Sequence, residues 1–127
     1  MSVAEGCKQA DIIHILIPDM IQAEVYKNEI GPNLSEGKAL SFSHAAAIYW
    51  KWIEAPSNVD IIMIAPKGPG SKVRETYLEN FGTPAIVAVE QDSTGKAWNR
   101  TLGIAKAIGS ARAGFCLLYT SPSPRDS

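Results

Sequence analysis

Cysteine is scarce in this chain of 127 residues: Cys7 and Cys116 are the only two. They form no CxxC or Cys/His spacing, which leaves no sequence basis for a disulfide framework or a zinc site and fits a reducing cytoplasm. Charge of either sign is not in surplus, with 12 Lys and Arg against 13 Asp and Glu, for a net of -1. A basic stripe able to neutralise phosphates is therefore missing, which argues against a nucleic-acid partner. No apolar run approaches the roughly 20 residues of a membrane span. No basic stretch followed by an apolar one marks a secretory signal, so the expected compartment is the cytoplasm. Histidine is scarce too. There are 2, His14 and His44, and each needs an explanation.

What is present is an ordinary globular composition, 46% hydrophobic and 20% charged, at the length of one domain. Four near-continuous apolar segments, Asp11–Ile17, Ala39–Phe42, Val59–Ala65 and Ala85–Val89, read as strands covered on both faces. Helical spacing runs between them. Asp19–Ile30 is closed by Gly31-Pro32, Ser71–Glu79 starts from a good N-cap residue, and Thr94–Ile108 stops at Gly109. A shorter helix is expected over Ala45–Trp52. Strand and helix in alternation predict a parallel α/β sheet with right-handed crossovers.

In such a sheet, ligands bind outside the carboxyl ends of the strands. The residues following each strand are thus the candidates: Pro18-Asp19-Met20-Ile21-Gln22, Ser43-His44-Ala45, Pro66-Lys67-Gly68-Pro69-Gly70-Ser71 and Glu90-Gln91-Asp92. Asp19 is either a helix cap or part of a helix N-terminus facing a cofactor. Gly68 and Gly70 either shape a turn or allow an anionic ligand close to the backbone, and Lys67 is either its counter-charge or a solvated lysine. Glu90 and Asp92 read as loop carboxylates without metal partners. His14, mid-strand among isoleucines, reads as a packed and hydrogen-bonded histidine. His44, at a strand exit, suits packing or proton transfer equally.

The stretches ADIIHILIPDMIQAEVY, GKALSFSH, VDIIMIAPKGPGSKVRETY, GTPAIVAVEQDSTGKA and AKAIGSARAG, in this order and spacing, resemble the ketol-acid reductoisomerases across nearly all of Ala4–Gly114. The resemblance implies a Rossmann-like, three-layer parallel sheet with helices on both faces, truncated at both ends. It implies an NADPH- and magnesium-dependent oxidoreductase and isomerase. Such an enzyme converts 2-acetolactate or 2-aceto-2-hydroxybutyrate to a 2,3-dihydroxy acid, in valine, leucine and isoleucine synthesis. It assigns Asp19, Met20, Ile21, Gln22 and Gly70 to the cofactor, and His44 and Lys67 to catalysis. The parent is expected to be a homo-oligomer acting on a small acetohydroxy acid.

The chain also departs from the family pattern. The glycine-rich fingerprint and phosphate-selecting loop are expected before Met1, and the helical domain with the magnesium ligands after Gly114, so no metal ligand is named here. On this reading residues 1–114 are a partial cofactor domain, inactive alone. Ala45-Ala46-Ala47 follows His44 where the family prefers glycine. Residues 115–127 read as a disordered, non-native tail, because Cys116–Asp126 resembles a translated sequencing adapter. The competing readings are another Rossmann oxidoreductase, which leaves APKGPG unexplained, or a nucleotide-binding module without chemistry.

Overall fold

The computed structural model describes residues 2–43 and 53–119. The chain opens with α1 (Val3–Gln9), which the apolar pattern did not announce. Its cap was nonetheless written in the sequence. Ser2 accepts from the Glu5 N–H and the Glu5 carboxylate takes the Ser2 N–H, a reciprocal capping box. β1 (Ile12–Ile15) follows, then α2 (Asp19–Val25), which continues through a π-turn at Tyr26–Ile30 and a 3-10 turn at Gly31–Asn33. β2 (Ala39–Phe42) and β3 (Asp60–Pro66) complete a parallel trio with β1. The helix expected over Ala45–Trp52 lies outside the described residues.

The second half holds α3 (Gly70–Leu78), β4 (Ala85–Gln91), α4 (Ala97–Ala107), the short α5 (Ser110–Ala113) and β5 (Phe115–Tyr119). The strand order is β1-β2-β3-β4-β5. The α/β expectation holds, but the sheet is mixed, because β4 runs antiparallel to β3. The reason is one of length. The 7 residues of β3 extend about 23 Å, whereas the 9 residues of α3 rise only about 13 Å. The helix by itself falls short of the amino edge. Instead Asn80 turns it at φ 65, in the left-handed region that asparagine tolerates, and Ala85 pairs directly with Pro66. Glu90-Gln91-Asp92 therefore emerge at the opposite edge from the other strand ends, which corrects their place among the ligand-edge candidates.

A second correction concerns the end of the chain. Phe115–Tyr119 is not disordered but forms β5, parallel to β4, as a five-residue apolar run beside an open strand edge can do. A third is local: α3 is capped by Pro69 rather than Ser71, and proline keeps the residue before it out of the helical region, so the helix does not extend backward.

Two clusters fill the faces of the sheet. Leu40, Phe42 and Ile61 pack with Cys7, Tyr26 and Ile30 beneath α1 and the π-turn. Ile64, Ala85 and Val87 pack with Ala105 of α4 on the other face. Helices thus cover both faces, as the three-layer reading requires. Leu40 is wholly buried, so truncating it to alanine costs about 2–5 kcal/mol. Among the described residues no helix is long and apolar enough to cross a membrane.

Candidate functional site

Strand alternation decides what faces the cleft. Ile12 and His14 of β1 point to the α4 side, and so does Ser41 of β2, which is paired with His14. α4 packs against β3 and β4 on that side, while His14 of β1 is left exposed. The result is a cleft of about 690 Å³, lined by His14, Leu16 and Ser43 on one side and by Pro66, Gly68 and Gly70 on the other. Its far wall is apolar, made by Val73 of α3 with Ile104 of α4 and Ile108 at its end. This size lies within the range of small-molecule and cofactor pockets, and its place is the carboxyl edge of three parallel strands.

The glycine loop forms one rim. Lys67 N–H donates to the Pro84 carbonyl at 2.7 Å, which pins the loop to the start of β4. A Cβ on Gly70 would meet nothing within 4 Å, so this glycine opens onto free space rather than serving packing. Gly70 is the first residue of α3, and its cap Pro69 offers no side-chain acceptor to the helix N-terminus. A ligand with anionic groups can approach backbone N–H there. Lys67 is exposed in the same loop, and its side chain is not part of the cleft wall.

The loop after β1 forms the other rim. Asp19 stands at the first position of α2, and the cap position is Pro18. Met20 is 95% exposed and Leu16 72%, apolar surface that a bound partner would shield. Gln22 is different: it is buried, and its Nε2 donates to the Ile17 carbonyl at 2.8 Å. Its amide holds the bend from strand to helix. The structure thus brings Gly70 and Leu16 to one cleft; Met20 and Ile21 are exposed and Gln22 is buried, and none of the three is part of the cleft wall. His44 lies outside the described residues.

Ser43, a candidate at the exit of β2, lines the wall. His14 is the cleft residue that lies outside the strand-end candidates. His14 was read as packed. Its hydrogen bonds are there, with Nδ1 2.7 Å from Ser41 Oγ, but the ring is exposed to the cleft and burial lowers its pKa from the ordinary 6.5. Strand parity relative to Ser41 was the signal that could have found it.

The strongest polar cluster lies at the other edge. Asp60 is wholly buried at the start of β3 and accepts from the Ser93 and Thr94 N–H groups at 2.9 and 3.0 Å. The Thr94 hydroxyl donates at 2.7 Å and the Arg100 guanidinium at 3.2 Å. Burial raises the Asp60 carboxyl, but these hydrogen bonds and Arg100 outweigh it and leave the pKa below the ordinary 3.8. With every acceptor occupied, this carboxylate is an anchor. Asp92 does similar work, accepting from Gly95 and Ala97 N–H at the start of α4. Among the described residues no group of three His, Cys, Asp or Glu could hold a metal ion.

Residues 1–114 match the model of the family "Acetohydroxy acid isomeroreductase, NADPH-binding domain". The ketol-acid reductoisomerase (NADP(+)) of Nitrosopumilus maritimus (strain SCM1) is 90% identical over 115 residues, 91% of this chain and 35% of the relative. That of Cenarchaeum symbiosum (strain A) is 80% identical over the same length and shares. A solved NADH-preferring ketol-acid reductoisomerase from an uncultured archean superimposes with a TM-score of 0.92 at 42% identity, covering 94% of this chain and 36% of that one. The chain spans about a third of the length of the curated relatives it matches.

Proposed function

Since the chain belongs to the acetohydroxy acid isomeroreductases through their NADPH-binding domain, we propose that it forms part of the cofactor cleft of a ketol-acid reductoisomerase. The proposed enzyme converts 2-acetolactate or 2-aceto-2-hydroxybutyrate by magnesium-dependent alkyl migration. NADPH-dependent reduction then yields a 2,3-dihydroxy acid for branched-chain amino acid synthesis, in the cytoplasm and as a homo-oligomer. The observation that carries this reading is the cleft at the carboxyl edge, with Gly70 opening onto free space at a helix N-terminus.

The residues present fit a dinucleotide. Gly68 and Gly70 let the ligand lie against the backbone, and the first N–H groups of α3 face its anionic groups. Leu16, Met20 and Ile21, with the backbone at Asp19, form the opposing rim, while Gln22 holds that rim's bend through Ile17. When bound, NADPH supplies the hydride, and the apolar far wall excludes water from the face it lines. His44, one residue beyond Ser43, is proposed to hold or move a proton, and Lys67 to place positive charge at the cleft mouth. Among the described residues no group of three His, Cys, Asp or Glu offers magnesium a ligand set, so its ligands would come from outside them.

What supports reading Cys116–Asp126 as translated adapter is that the family match stops at Gly114. Sequencing reads that cross this junction on genuine template would refute it.

The functional test exchanges residues 1–114 into the full-length Nitrosopumilus maritimus enzyme. NADPH oxidation that depends on both acetolactate and magnesium is expected from the exchanged enzyme. The 127-residue chain alone is expected to give none. A correctly folded exchange protein without turnover would contradict the proposal.

A further inference from the structure

None of the 9 residues of α3 is buried, and only Val73 and Thr76 are half-buried. A helix this short is marginal alone in water and takes its stability from a packed face. The face that α3 leaves open is not a polar one. Arg74, Tyr77 and Leu78 stand at i, i+3 and i+4, which puts them on one side of the helix. Phe81 follows just past its end. Leu78 is 68% exposed and Phe81 55%.

This patch is held in shape. Arg112 of α5 donates to the Phe81 carbonyl at 3.1 Å, which fixes the turn that carries Phe81. The Arg112 guanidinium lies 5.1 Å from the centre of the Tyr77 ring, and that of Arg74 lies 5.7 Å from it. Gly109 closes against the same ring, since a Cβ there would stand 3.1 Å from Tyr77 Cδ2. Two cations thus gather at one tyrosine. Neither is paired with a carboxylate among the described residues.

Aromatic and aliphatic surface beside arginine is the make-up of an interface centre. Charge and length say what it fits. Two unpaired guanidiniums are complemented by carboxylates opposite them. A second copy of the patch does not supply these, because a two-fold contact presents the same arginines from both sides. Glu75, about a quarter-turn further round α3, is already paired with Lys72. The matched region is 35% of each curated relative, so most of such an enzyme lies outside it. We infer that the Arg74, Tyr77, Leu78 and Phe81 face is an interdomain docking surface. In a full-length enzyme of the family it is covered by an apolar, carboxylate-bearing surface of the part beyond residues 1–114. This rests on family membership and not on the cofactor reading.

The test is hydroxyl-radical footprinting of the full-length exchange protein, read by mass spectrometry at two residues of one type. Phe81 is 55% exposed in this chain and Phe42 2%. Left uncovered, Phe81 reacts more than about tenfold faster than Phe42, as their exposure dictates. In the full-length protein the ratio is expected to fall below about threefold, because an interface centre is packed like a protein interior. Arg74→Glu sets like charges across the contact and should raise Phe81 reactivity at least about threefold, with Phe42 unchanged. Arg74→Lys, which keeps the charge, should stay within about twofold of native. If Arg74→Glu fails to fold, the native ratio decides the matter. A native ratio above about tenfold would overturn the inference. So would protection of Phe81 that survives Arg74→Glu, which denies the carboxylates, or protection lost on dilution, which points to a second copy. Each of these results leaves the proposed function, which turnover tests, standing.

Discussion

The two ends of β3 contrast in chemistry. At its amino end Asp60 is buried and fully bonded to the loop that starts α4. At its carboxyl end the chain enters a glycine loop where Gly70 opens onto free space and Lys67 is exposed. One end uses its polar groups internally; the other leaves backbone groups and space for something else. The antiparallel turn into β4 creates this division, because it brings the 92–96 loop to Asp60 and keeps it away from the cleft. A carboxylate cluster found without its partners would look like a site. Here the saturated cluster is the scaffold, and the sparse edge is the proposed site.

The contrast is broken most severely at its anchored end. Asp60→Ala leaves Arg100 and two loop N–H groups without their acceptor, and urea unfolding is expected to show a loss of about 3–5 kcal/mol. A loss below about 1 kcal/mol would mean that the cluster is not the anchor. Next in size is Gly82→Ala. A Cβ there would lie 1.8 Å from the Gly109 carbonyl oxygen, so backbone must shift, at a cost of about 1–3 kcal/mol by the same measurement.

Acid separates the two edges with smaller effects. The pKa of Asp60 is lowered from 3.8, so its contribution is complete above that value and is lost as pH falls through the folded pKa. The pKa of His14 is lowered from 6.5, so the unfolded chain takes up the proton first and stability already begins to decline as pH falls below 6.5. Chemical unfolding followed against pH should show two windows. His14→Gln should remove the upper one and leave the lower. A single window unaffected by that substitution would blur the distinction between the edges.

Much of this was legible in the sequence because it is written locally. Ala39–Phe42 appears with the bounds expected for it, since a fully buried strand is a bare apolar run between turn signals. The glycine loop was legible from Gly68-Pro69-Gly70 alone. The direction of β4 was not, because it follows from the length of α3 relative to β3 rather than from any residue in β4. Asp60 was hidden for a similar reason. It sits at the head of an apolar strand, and its partners Thr94 and Arg100 come from far along the chain. His14 was misplaced because its neighbours in sequence are isoleucines, while its neighbours in space are serines of the next strand.

The account rests on the carboxyl-edge cleft being the dinucleotide site, and Gly70→Val tests it most directly. The substituted Cβ enters space that no protein atom occupies, so the melting temperature of the full-length exchange protein should stay within about 2 °C of native. If the cleft holds the cofactor, calorimetric titration with NADPH should show affinity weakened by at least about tenfold. Native affinity in a folded Gly70→Val protein would place the cofactor elsewhere.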